Sequence, residues 1–166
     1  MILRTAEFSP CRTWRYSLSR TWASKKPQAL FICLNPSTAD ELQDDPTVRR
    51  CMRFAHAWGY GGMVMANLFA FRATEPADMK AAADPVGPEN DRHILYLAQD
   101  SGITVAAWGV HGDYRSRARA VVELLRGHKI MLHCLGTTKE GFPKHPLYLP
   151  KITKPDFLKR GLRYGT

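Results

Sequence analysis

The sequence predicts an α/β fold: a three-layer sandwich around a central four-stranded, mainly parallel sheet. Three observations carry this. Four short, mostly apolar runs (29–34, 63–68, 103–108 and 129–135) read as strands buried on both faces. Stretches with helical apolar spacing lie between them, which implies right-handed crossovers and parallel strands. A polar or glycine-containing cluster follows each run, where ligands bind in such sheets.

The elements follow in order. Thr13 to Trp22 alternates bulky and polar residues with period two, so a half-buried strand or hairpin is expected near residues 12–22. Ala29 to Leu34 is the first buried strand, broken by Asn35-Pro36-Ser37-Thr38. Asp45 before Pro46 opens a helix as an acidic cap with proline at the first helical position. That helix runs to about Trp58 and stops at Gly59, with Val48, Cys51, Met52, Ala55 and Trp58 inward. Met63 to Leu68 is the second strand. Glu89 to Gln99 is helical, with Ile94, Leu95 and Ala98 inward. Ile103 to Trp108 is the third strand, ended by Gly109. Tyr114 to Arg126 is an amphipathic helix with Ala118, Val121, Val122 and Leu125 on one face. Lys129 to Leu135 is the fourth strand, ended by Gly136. The 166 residues form one domain, with a basic tail over about 150–166.

Composition narrows the class. Hydrophobic residues make up 45% and charged residues 23%, as in globular proteins. The longest apolar run falls far short of the ~20 residues that span a bilayer. The first residues lack the apolar core of a signal peptide, so a cytoplasmic protein without membrane contact is expected. Cys11, Cys33, Cys51 and Cys134 show no C-x-x-C spacing, so they read as free thiols and no metal site is expected. Neither phosphate-loop nor nucleophile-elbow spacing is present, because Gly59-Tyr60-Gly61-Gly62 precedes a strand instead of following one.

The formal charge is +9. Residues 1–26 hold six Lys/Arg against one acid, and residues 115–166 hold twelve against three. Residues 27–114 hold six against eleven. Basic ends around an acidic middle point to a polyanionic partner, nucleic acid or a nucleotide.

Four loops converge on one rim of the sheet. Asn35 ends the first strand and Asn67 the second; a pair of amides offers the donors and acceptors that a base edge needs. Pro36 and Ser37 extend the first loop. Phe69 and Trp108 are aromatic platforms near strand ends, and Arg72 is a nearby cation. His145 lies in Pro143-Lys144-His145-Pro146, where prolines hold the imidazole on a rigid loop and Lys144 adds charge. One of the acidic group Asp40, Glu41, Asp44 and Asp45 after the Asn35 loop is a candidate general base, with Asp40 singled out. Asp44 and Asp45 read as helix caps. His56 and His93 read as surface or packing residues, and His111 as a weaker candidate on the rim.

The segments Leu34-Asn35-Pro36-Ser37-Thr38-Ala39-Asp40, Asp44-Asp45-Pro46-Thr47, Trp58-Gly59-Tyr60-Gly61-Gly62, Asn67-Leu68-Phe69-Ala70, Arg72-Ala73-Thr74, Asp84-Pro85-Val86-Gly87 and His145-Pro146-Leu147-Tyr148 resemble the domain of unknown function 1643 family. More distantly, the order of motifs is similar to the uracil-DNA glycosylase superfamily, particularly its mismatch-specific uracil/thymine branch. There an Asn-Pro-Gly motif positions the attacking water, and Leu34-Asn35-Pro36-Ser37 is similar. Met65-Ala66-Asn67-Leu68 resembles its base-reading strand end, Ala107-Trp108-Gly109 its Trp-Gly strand end, and His145-Pro146 its His-Pro motif.

That resemblance implies a uracil-DNA glycosylase-like fold and hydrolysis of an N-glycosidic bond to a damaged, mismatched or modified base, without a cofactor. Asn35 would hold the water, Asn67 the flipped base, and His145 would stabilise the leaving base or bind phosphate. Phe69 or Trp108 would stack. The basic termini would contact phosphates, since Leu147-Tyr148 replaces the superfamily's Ser-Pro. The wedge that fills the vacated stack would be Leu147 or Tyr148. Alternatives are a non-hydrolytic nucleic-acid or nucleotide-binding or DNA-modification protein on the same fold, and an enzyme acting on free nucleosides or nucleotides.

Overall fold

The computed structural model describes residues 1–159, so part of the basic tail lies outside the described residues. Seven strands form one sheet: β1 (Leu3–Phe8), β2 (Arg15–Thr21), β3 (Gln28–Cys33), β4 (Gly62–Asn67), β5 (Ile103–Ala106), β6 (Leu132–Cys134) and β7 (Asp156–Phe157). Their order is β1-β2-β4-β3-β5-β6-β7. The four expected strands are its parallel centre, β4-β3-β5-β6. An antiparallel hairpin, β1-β2, extends one side and β7 the other. The sheet is thus wider than four strands and mixed at both margins.

Four α-helices cover it: α1 (Pro46–Ala57), α2 (Pro76–Ala81), α3 (Asn90–Asp100) and α4 (Arg117–Gly127). Successive residues of β3 serve opposite faces. Leu30 and Ile32 pack with Ile94 of α3 and Val121 and Leu125 of α4. Ala29, Phe31 and Cys33 pack with Val48, Cys51 and Phe54 of α1. Three layers result, because a parallel sheet must be covered on both faces. Phe54, unassigned from sequence, is a fully buried member of the α1 seam, whereas Met52 and Trp58 are only partly buried. The last helix starts at Arg117; Tyr114 belongs to a preceding 3-10 segment (Val110–Ser116).

β2 departs most from expectation. Its alternation predicts one solvated face, yet it lies inside the sheet between β1 and β4. Arg15 and Arg20 are buried at 1% and 0% exposure. Tyr16 stacks on His93 of α3, while Leu18 packs in the α1-side cluster, so the strict two-residue alternation fails along this strand. Arg20 Nε donates to Asp44 at 2.7 Å, and its other nitrogens donate to the carbonyls of Ser19, Asp40 and Gln43. Arg4 of β1 reaches the second Asp44 oxygen at 2.9 Å.

All four cysteines are free: Cys33, Cys51 and Cys134 are buried and Cys11 is exposed. Hydrogen bonds to Ser9 and Thr13 lower the Cys11 thiol to about 7. No helix among the described residues is long and apolar enough to cross a membrane.

The Asp44 clamp sets a pH test. Burial works to raise this carboxyl, but the bonds from Arg20 and Arg4 outweigh it and hold the pKa below 3.8. A pKa depressed by folding contributes stability above the unfolded value that is lost as pH falls through the folded one. Asp44→Asn should lower stability at neutral pH by about 3 kcal/mol, the cost of orphaning a buried partner. In urea titrations the gap between Asp44→Asn and the parent should close below about pH 4. A gap that persists to strongly acidic pH would contradict the clamp.

Candidate functional site

Chain order places a crevice. β4 and β5 flank β3 on opposite sides, with α1 on one face and α3 and α4 on the other. The connections leaving β3 and β5 therefore diverge, which opens a gap beyond their carboxyl ends. A cavity of about 550 Å³ sits there, lined by the β3 exit (Cys33 to Thr38), the start of α1 (Asp45 to Thr47), the 73–76 loop, the β5 exit (Trp108 to His111), His145 and Leu147. Its size suits a small-molecule or nucleotide-sized group.

Backbone bonds lock the first two walls together. Leu68 N donates to Cys33 O, Phe69 N to Leu34 O and Ala73 N to Pro36 O. Asn35 continues this stitching, with its Nδ2 donating to Ala73 O at 2.8 Å and Pro36 O at 3.1 Å. The amide's donor side is spent on the scaffold, which fixes its orientation and leaves Oδ1 as the acceptor of a residue that lines the cavity. Ser37 also lines it, while Pro36 is buried beside the lining.

His145 is held differently. Its Nδ1 accepts from the Leu147 backbone N–H at 3.2 Å, which leaves the neutral ring's proton on Nε2. The ring keeps an exposed edge, but the protein packed around it lowers its pKa below 6.5, and the Asp45 carboxylate works in the opposite direction. A neutral Nε2–H donor is the resulting form near neutrality. Gly109 N donates to Pro143 O at 3.0 Å and ties this loop to the β5 exit. Gly109 has φ 72° and ψ −163°, a conformation open essentially to glycine alone.

Two charged lining residues have a larger place in the cavity than the sequence indicated. Asp45 does cap α1, accepting from Val48 N at 2.8 Å, but it also lines the cavity and is the one carboxylate in the lining among the described residues. Arg15 reads as the polar phase of an alternating strand, yet it reaches the cavity floor. It donates to Ala39 O at 2.8 Å and makes longer contacts to Met65 Sδ and Asn67 Oδ1; its Nε is buried without a partner. Among the described residues no carboxylate pairs with it. Burial lowers its pKa to about 10, partly offset by Asp45, so it stays a cation. The signal available was an arginine opening a strand; what buries it is the loop bearing Ala39, which sequence proximity does not reveal.

Other candidates lie elsewhere. Asn67 is 1% exposed beneath Arg15, with Nδ2 unpartnered, and does not line the cavity. Phe69 is fully buried and tilts against Tyr114. Trp108 lines the wall, but the residue is 1% exposed and belongs to the core on the α3–α4 side, so it offers no open stacking face. Arg72 sits over the Phe8 ring and bonds Arg12 O. Lys144 is exposed outside the lining. Asp40 turns the loop: its Oδ1 accepts from Leu42 N and Gln43 N, and these bonds hold its pKa below 3.8, which disfavours a base role. No group of three or more His, Cys, Asp or Glu side chains suited to a metal occurs among the described residues.

A family model described as "Protein of unknown function (DUF1643)" matches residues 15–147. The chain belongs to that family. The matched DUF1643 segment runs from Arg15 to Leu147 and so contains every residue lining the cavity. No curated protein and no solved structure matches the chain.

The pair of Asp45 and His145 yields a measurable outcome. In a proton NMR titration, the His145 ring should titrate below the ordinary histidine value of ~6.5. Asp45→Asn, which keeps the cap, should move it lower still by removing the opposing charge. An upward or absent shift would show that Asp45 does not act on the ring.

Proposed function

We propose that this protein hydrolyses an N-glycosidic bond, releasing a damaged, mismatched or modified base from DNA. The observation that supports this is the division of one cavity into acceptors and donors. Asn35 and Asp45 supply acceptor oxygens, while His145 supplies an N–H and Arg15 a buried positive charge. Cleavage breaks the bond between C1′ of the sugar and the base nitrogen, and the electron pair leaves with the base. Asn35 Oδ1 positions the water that adds to C1′, and Asp45 takes its proton. His145 Nε2–H donates to an oxygen of the departing base, and the Arg15 charge lowers the energy of that anion. Fixed donors of this kind need no reorganisation as charge develops. The base takes up a proton from solvent after it departs. Flipping a base into such a cavity costs a few kcal/mol, least where pairing is already impaired.

In this reading, base contacts fall to groups that reach the cavity, such as Ser37 and Thr74, since Asn67 is covered by Arg15. A second reading is non-hydrolytic nucleotide or nucleic-acid binding in the same cavity; under either reading Asn67, Phe69 and Trp108 are enclosed and give no base contact.

The test is base release from oligonucleotides carrying a panel of modified bases, read as strand scission at abasic sites. Asn35→Ala and His145→Ala should each slow release by roughly 10²–10³-fold, as loss of one preorganised group does. No scission anywhere in the panel, with binding that survives Asn35→Ala, would replace hydrolysis by the second reading.

A further inference from the structure

The acidic middle of the chain carries an unexpected cationic face. Arg49, Arg50 and Arg53 lie on α1 and line a shallow groove with Leu147, Tyr148 and Leu149. This groove shares Pro46 and Leu147 with the cavity, so the two adjoin. A second depression, also lined by Arg50 and Arg53, extends the face to Lys151.

Among the described residues these cations meet no acidic partner. Among the described residues, Arg4, Arg12, Arg20, Arg92 and Arg117 each meet a carboxylate. No ion pair involves Arg49, Arg50, Arg53 or Lys151; Arg49 bonds only the Asp44 carbonyl. Arg50 is set over the Phe54 ring at 5.0 Å, and its Nε is buried with no hydrogen-bond partner. Arg49 and Arg53 are one turn apart, about 6 Å along the axis. Cations spread along a groove match a chain of phosphates better than one compact anion.

We infer that this face of α1 carries the phosphodiester backbone of the nucleic-acid strand whose base enters the cavity. The inference rests on the proposed function for the base, but strand binding is measured without any base release. Phosphate contacts come from α1 rather than chiefly from the basic termini.

The test is the salt dependence of binding to a labelled single-stranded deoxyoligonucleotide. Each lost phosphate contact reduces the slope of log K against log salt by about 0.7 on a single strand. The double variant Arg50→Gln/Arg53→Gln should therefore reduce it by about 1.4. Lys25→Gln/Lys26→Gln removes equal charge at the N-terminal end and should leave the slope unchanged. All three proteins should stay folded, the α1 variant melting somewhat lower because Arg50 packs over Phe54. The inference is overturned if the parent does not bind the oligonucleotide at low salt, or if the α1 variant keeps its slope. It is equally overturned if both variants lose the same amount, which would mean a diffuse field. Retained binding and slope loss without base release would sink the hydrolytic reading and leave this one standing.

Discussion

Two guanidinium groups buried beneath one loop organise this protein. Arg15 and Arg20 both come from β2, and both are removed from water. A buried cation is costly unless surrounded by acceptors. The acceptors come from the segment between β3 and α1: Ala39 O for Arg15, and Asp40 O, Gln43 O and Asp44 for Arg20. The loop cannot lift without orphaning both charges. It is therefore held against the sheet, and with it the Asp45 cap and the turn bearing Asn35 and Ser37. The cavity wall is held in place because the loop supplies the shortest bonds that both charges make.

The two charges are satisfied unequally. Arg20 has a carboxylate and a ring of carbonyls, as a purely architectural group would. Arg15 has one short bond, two long contacts and an unpartnered Nε. Incomplete satisfaction of a buried polar group calls for an explanation. Its position on the cavity floor supplies one: the positive potential there is left unneutralised for something that arrives.

Legibility in the sequence followed burial. β3, β4, β5 and β6 were readable because strands covered on both faces are apolar throughout. β1 was not, since LRTAEF is mostly exposed and carries no apolar period. β7 is two residues long and α2 six, below what a pattern can reveal. β2 was found but its polar residues were misplaced, because a loop distant in sequence covers them. In the site, Asn35, Ser37 and His145 were readable from their place after strands and beside prolines. Asn67 and Phe69 share that kind of position, yet their side chains are enclosed by the packing of Arg15 and Tyr114, which no local pattern encodes. Asp45 was read correctly as a cap; its second role depends on where the crevice opens.

The margins of the sheet have a consequence for the protein's behaviour in a crowded solution. An open strand edge is a template on which another chain can add. Here one margin is β1, whose exposed surface carries Arg4 and Glu7. The other is β7, too short to align more than a pair of residues. The apolar strands that would make the most adhesive edges are all interior. The wide core is thus flanked by two strands poorly suited to recruiting a stranger, and self-association through the sheet is disfavoured at both ends.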